Sequence, residues 1–156
     1  MTRRLLAVLV TIVAAILCGA PVAAADPATD TSCTPALEGV TTKKLEADVV
    51  MLCRDGMWYP QPADTPPSNR WVSWGPTLTL RGQALPNPNI VMGRWLARPI
   101  GEWTRCRAVQ QTGVAAGAIS KPVDDQGSTD VPMLFDIVTN VVNIHFSGYC
   151  LWTLQP

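Results

Sequence analysis

Histidine occurs once in the 156 residues, at His145. Any mechanism that needs an imidazole base, a histidine-activated nucleophile or a multi-histidine metal set must use that residue alone. No Gly-x-Ser-x-Gly elbow is present, so a Ser–His–Asp hydrolase lacks its usual local mark. No two cysteines stand in C-x-x-C spacing, which leaves zinc without its common ligand pattern. Basic residues do not cluster either. Beyond residue 25, only Lys43-Lys44 and Arg105 with Arg107 are near neighbours. Nucleic acid and anionic membrane surfaces therefore lack the expected electrostatic footprint. No internal repeat and no heptad is visible. Neither a metal nor a cofactor is expected.

What the chain does have begins at its amino terminus. Arg3 and Arg4 form a short basic start, residues 5–18 are an uncharged apolar run, and Ala23, Ala24 and Ala25 precede Asp26-Pro27. That three-part layout predicts a secretory signal peptide over 1–25, cleaved after Ala25. The run is short for a membrane span, which takes about 20 residues; an uncleaved anchor is the competing reading. Arg3-Arg4 also admits twin-arginine export. Cys18 follows Leu17 rather than a small residue and reads as signal-peptide filler. Residues 26–32 read as a flexible tail and 33–156 as one folded domain, with no membrane span after cleavage. Without Arg3 and Arg4, ten basic side chains face twelve acidic ones, a net charge of −2.

Four cysteines remain: Cys33, Cys53, Cys106 and Cys150. An even count in a small exported domain predicts disulfides. Three connectivities are possible. Cys33–Cys53 with Cys106–Cys150 is favoured, because each pair lies within its own half of the chain.

The hydrophobic pattern predicts strands almost throughout. Residues 49–53 alternate and end at Asp55-Gly56, a two-residue hairpin signal. The matching register sets Arg54 opposite Met57 and Cys53 opposite Trp58. Residues 60–69 hold four prolines and read as an extended loop. Residues 70–74 and 77–80 read as strands about a Gly75-Pro76 turn. Residues 90–97 and 103–111 read as further strands, with Thr104, Cys106 and Ala108 inward. Residues 114–119 favour strand over helix, and 121–132 read as loop. Between 133 and 146 the apolar phase slips from odd (Met133, Phe135, Ile137) to even (Val142, Ile144, Phe146), which predicts a bulge or bend at 138–141. Phe146-Ser147-Gly148 then reads as a three-residue hairpin loop that folds residues 149–154 back, with Ile144 facing Cys150 and Val142 facing Trp152. The expected fold is mostly β: a single small sandwich- or barrel-like antiparallel domain stapled by two disulfides.

Candidate chemistry is thin. His145 shares its phase with Asn143 and Ser147, a pattern typical of a solvated strand face. Carboxylate pairs for glycoside hydrolysis would have to come from Glu38, Glu46, Asp48 or Glu102. Asp124, Asp125 and Asp130 match no EF-hand spacing. The aromatics say more. Trp58, Tyr59, Trp71 and Trp74 fall within 17 residues with prolines between them. Trp58 reads as core beside the Cys33–Cys53 link. Trp71 and Trp74, three apart, face opposite ways in an unbroken strand, so one of them is expected outside. An exposed aromatic patch at these four positions would bind sugars, prolines or apolar groups.

Two resemblances complete the reading. The leader ending in three alanines before Asp26-Pro27, with an Ala-, Pro- and Val-rich body, resembles small exported proteins of mycobacteria and related actinobacteria; that implies a location outside the membrane. Cys33-Thr-Pro35, Gly39 and Leu52-Cys53-Arg-Asp-Gly-Met-Trp58 resemble a Cys…Gly…Leu-x-Cys-x-x-Gly-x-Trp pattern of some bacterial surface and pilin-like tip domains. That pattern covers 26 residues and implies the Cys33–Cys53 link and the hairpin. The chain lacks the methylation signal and long helix of a pilin. The expected function is a secreted or envelope-associated, non-enzymatic binding module, its partner an envelope or extracellular protein or glycan. The alternatives are an exported hydrolase of envelope polymer and a secreted protease inhibitor presenting residues 60–67.

Overall fold

A computed structural model describes residues 31–44 and 47–156. The predicted signal peptide and most of the predicted tail lie outside the described residues. Among the described residues nine strands make one sheet: β1 (Thr41–Lys44), β2 (Val49–Arg54), β3 (Met57–Pro60), β4 (Arg70–Arg81), β5 (Gly93–Pro99), β6 (Arg107–Thr112), β7 (Val123–Gln126), β8 (Met133–Ile137) and β9 (Val141–Leu154). The fold is mostly β, stapled by Cys33–Cys53 and Cys106–Cys150 as favoured from sequence. It is not a closed barrel, and it is mixed: β1 lies parallel to β4 through Thr41 and Trp71, while the other named strand pairs are antiparallel.

The β2–β3 hairpin forms in the expected register, Arg54 with Met57 and Cys53 with Trp58. Asp55 and Gly56 take φ of 52° and 75°, the two left-handed residues that let a two-residue loop follow strand twist. The far edge of β3 is not bare. Ser32 bridges Met57, and the Trp58 amide donates to the Thr31 carbonyl at 2.9 Å. The end of the predicted flexible tail is thus paired to the sheet.

β9 is the strand around which the rest is arranged. The expected hairpin at Phe146-Ser147-Gly148 does not form; β9 runs unbroken for 14 residues. The expected turn at Gly75-Pro76 does not form either, and β4 runs on through it. Gly75 and Gly148 are register partners, and β4 carries a bulge between Gly75 and Leu78. Both glycines belong to one bend in a long two-strand ribbon. Because β9 is continuous, Ile144, Phe146, Cys150 and Trp152 share one face. The phase slip before it is real: β8 ends at Ile137, Asn140 turns with φ 62°, and β9 starts at Val141.

On the side away from β4, β9 changes partner. Its Cys150–Leu154 part pairs with β5, and its Val141–Ser147 part pairs with β6. β5 and β6 therefore lie end to end along β9. Residues 100–106, expected in part as strand, form the excursion that joins them. Pro99 pairs with Cys150 at one foot, Arg107 pairs with Ser147 at the other, and Cys106–Cys150 closes the base. Nearby, two further expectations are corrected. Residues 114–119 contain a short 3-10 turn rather than a strand, and β7 lies in the expected loop 121–132.

Apolar side chains fill two cores. The larger holds Trp71, Leu80, Trp95, Phe135, Phe146 and Trp152 among others, and the smaller holds Leu37, Val40, Met51, Trp58 and Val72 about Cys33–Cys53. Phe146 and Trp152 stack at 3.9 Å, and Phe135 meets both rings edge-on. In the larger core each buried indole N–H finds an oxygen: Trp71 the Ser68 carbonyl, Trp95 the Val91 carbonyl and Trp152 the Ser73 Oγ. Where β6 and β8 do not pair, Gln110 spans the gap: its amide donates to the Asp136 carbonyl and accepts from the Val138 amide.

Gly148 has φ 91°, and a Cβ there would meet the Arg105 carbonyl oxygen at 2.3 Å. Both the backbone conformation and the close approach exclude a side chain. Gly148→Ala is expected to cost about 3 kcal/mol or more, since a left-handed alanine and a displaced backbone each add of order 1–3 kcal/mol. Urea unfolding measures it; a loss below about 1 kcal/mol would show that the bend tolerates a side chain.

Candidate functional site

The four aromatics picked out by sequence do not share a surface. Trp58 and Trp71 are 2% and 1% exposed. Trp71 and Trp74 do face opposite sides of β4, but this part of the sheet is covered on both. Trp74 is half-buried: it stacks on Tyr149 at 5.2 Å, meets Trp58 edge-on at 6.1 Å and donates its N–H to Thr42 Oγ1. Tyr59 is also half-buried, with the Arg54 guanidinium 4.8 Å above its ring. Trp58 and Trp74 thus cover the smaller core. The edge of Trp71 lines a small cavity beneath the proline-rich loop.

The polar candidates are dispersed. His145 Nδ1 lies 2.9 Å from Thr79 Oγ1, its cross-strand partner on β4. Among the described residues no carboxylate bonds to it. Glu38 accepts from the Asp55 amide, Asp48 pairs with Lys43, and Glu102 lies in the 100–106 excursion; Glu46 lies outside the described residues. Asp124 is engaged by Arg107 through two hydrogen bonds of 2.8 and 2.7 Å, which hold its carboxyl below the usual range. Asp130 accepts from the Thr104 amide. No group of three acidic, cysteine or histidine side chains suited to a metal forms among the described residues.

The residue that sequence reasoning passed over is Trp103. It is 85% exposed, while Trp58, Trp71, Trp95 and Trp152 are buried. Its φ is 58°, left-handed backbone that a bulky side chain rarely takes. Its neighbours hold it there. The Thr104 amide donates to Asp130 Oδ1 at 2.8 Å, and the Asp130 amide donates to the Thr104 carbonyl at 2.7 Å. On the other flank the Ile100 amide donates to the Tyr149 carbonyl, and Gly101 sits so close to the Tyr149 ring that a Cβ would lie 2.7 Å from it. Three residues after Trp103, Cys106 is tied to Cys150. Ile100 and Val131 add partly exposed apolar surface, at 38% and 51%.

The chain matches no family model, no curated protein and no solved structure. Turn residues Pro99 and Gly101 ahead of a lone tryptophan were the available signal. The Thr104–Cys106–Ala108 alternation outweighed them, although it describes only the return leg of the excursion.

Burial holds the His145 imidazole below its ordinary 6.5. An unfolded chain then binds a proton that the folded one refuses. Stability should be unaffected above 6.5 and fall as pH drops below it towards the lower folded value. His145→Gln should lack that component. Urea midpoints for both proteins across this window check it; parallel curves would contradict the burial of the imidazole.

Proposed function

We propose that the protein is an exported, non-enzymatic binding module that docks an envelope or extracellular protein or glycan through Trp103. One observation carries the reading: a tryptophan 85% exposed, on left-handed backbone, at the tip of an excursion fixed at its base. Leaving a large apolar side chain in water forgoes roughly 1.5–3 kcal/mol of burial. Left-handed backbone at a non-glycine residue costs about 1–3 kcal/mol more. Neither cost is returned among the described residues, where Trp103 takes part in no aromatic pair or hydrogen bond. Tryptophan is the side chain whose burial against a partner recovers most, and it heads the residues that dominate interfaces. A pre-ordered loop also loses less conformational entropy on binding.

The compartment agrees. Two intrachain disulfides belong to an oxidising, extracellular environment. Export directed by residues 1–25 is part of the proposal. The non-enzymatic part is supported by the dispersal of His145 and the carboxylates described above.

Trp103→Ala is expected to leave thermal unfolding unchanged and to weaken capture of the partner from the producing cell's envelope and medium by tenfold or more, about 1.4 kcal/mol. Equal recovery of the same bound species by both proteins would overturn the reading.

A further inference from the structure

A cavity of about 130 Å³ lies beneath residues 61–66, against the start of β2 and both ends of β4. Val50, Pro62, Pro66 and Trp71 give it apolar walls. Its polar side chains are mostly occupied. Thr41 and Ser68 donate to the Arg70 carbonyl, Asn89 Oδ1 accepts from the Arg81 amide, and Asp48 pairs with Lys43. Arg81 is the exception. Its side chain makes no ion pair and no hydrogen bond among the described residues, and its Nε is buried without an acceptor. Asn143, its register partner on β9, does not accept from it, and Asn143 Oδ1 is itself without a partner.

A guanidinium that lines the cavity without an ion pair or hydrogen bond among the described residues presents its terminal nitrogens, and a carboxylate supplies two acceptors in matching geometry. One guanidinium balances one negative charge, so a monoanion fits better than a phosphate dianion. The apolar walls and the flat Trp71 edge favour a compact apolar or ring body behind that charge. From these features we infer that the cavity is a second binding site, separate from Trp103, for a small carboxylate on an apolar or ring body, with Arg81 holding the carboxylate. The chemistry is that of a free peptide carboxyl terminus or of a sugar acid.

The test is a nitrogen–proton NMR titration of the full folded domain with N-acetyl-alanyl-alanine and with glucuronic acid, each beside its neutral counterpart, the dipeptide amide and methyl glucoside. At least one acid should shift the Gln61, Ser68 and Arg81 amides and the Trp71 indole signal, with its neutral form at least tenfold weaker. Which acid acts names the source. Arg81→Gln should remove that tenfold preference, with unchanged unfolding showing that the fold persists. Equal binding of acid and neutral forms would overturn the role of charge. No shift with any probe would overturn the cavity as a site, and would leave docking through Trp103 untouched.

Discussion

At Gly148 a carbonyl from another segment occupies the place of a side chain. The Arg105 carbonyl approaches to within 2.3 Å of where a Cβ would stand. That approach lets β5 leave β9 and β6 join it within a few residues. It also turns a continuous β9 at the point where β4 bulges opposite, so that Gly75, Gly148 and the Ser73 hydroxyl meet at one bend. Ser73 Oγ donates to the Gly148 carbonyl and accepts from Trp152, joining the bend to the stacked aromatic core. A disulfide at the adjacent Cys150 fixes the same place covalently. In the chain-entropy account, closing 44 residues there stabilises by about 4 kcal/mol, against about 3 kcal/mol for the 20 residues of Cys33–Cys53.

The two cores follow from this ribbon. The first halves of β4 and the end of β9 are covered on both faces, and that is why tryptophans clustered in sequence end up inside. Trp71 and Trp152 point one way, Trp74 and Tyr149 the other. Small domains have little buried area to spare, and this one commits most of its tryptophan to it. Trp103 stands apart from that use of aromatic surface.

Local constraints were legible in the sequence and contacts between distant segments were not. Asp55-Gly56 carries its own backbone requirement, so the β2–β3 register could be read residue by residue. The parity and placement of the cysteines held the disulfide pairing. Gly75-Pro76 and Ser147-Gly148 have the composition of turns. What makes them a bend in a continuous ribbon is each other, 73 residues apart. The opposite facing of Trp71 and Trp74 was likewise correct, but whether both faces were covered depended on β1–β3 folding over one of them. Trp103 was hidden by an alternation that belongs to the strand after it. His145, expected on a solvated face, is partly buried and bonds Thr79 across the ribbon.

A displayed tryptophan functions as an anchor only if its loop is ordered before binding. Here the order comes from the Thr104–Asp130 pair of bonds, the Ile100–Tyr149 bond and the nearby disulfide. Native-state hydrogen exchange on the free protein reads this directly at the amides of Ile100, Thr104 and Asp130. Exchange limited by global unfolding, at rates like those of the β9 core, is the predicted result. Exchange at the rate of an open peptide would contradict a pre-ordered Trp103.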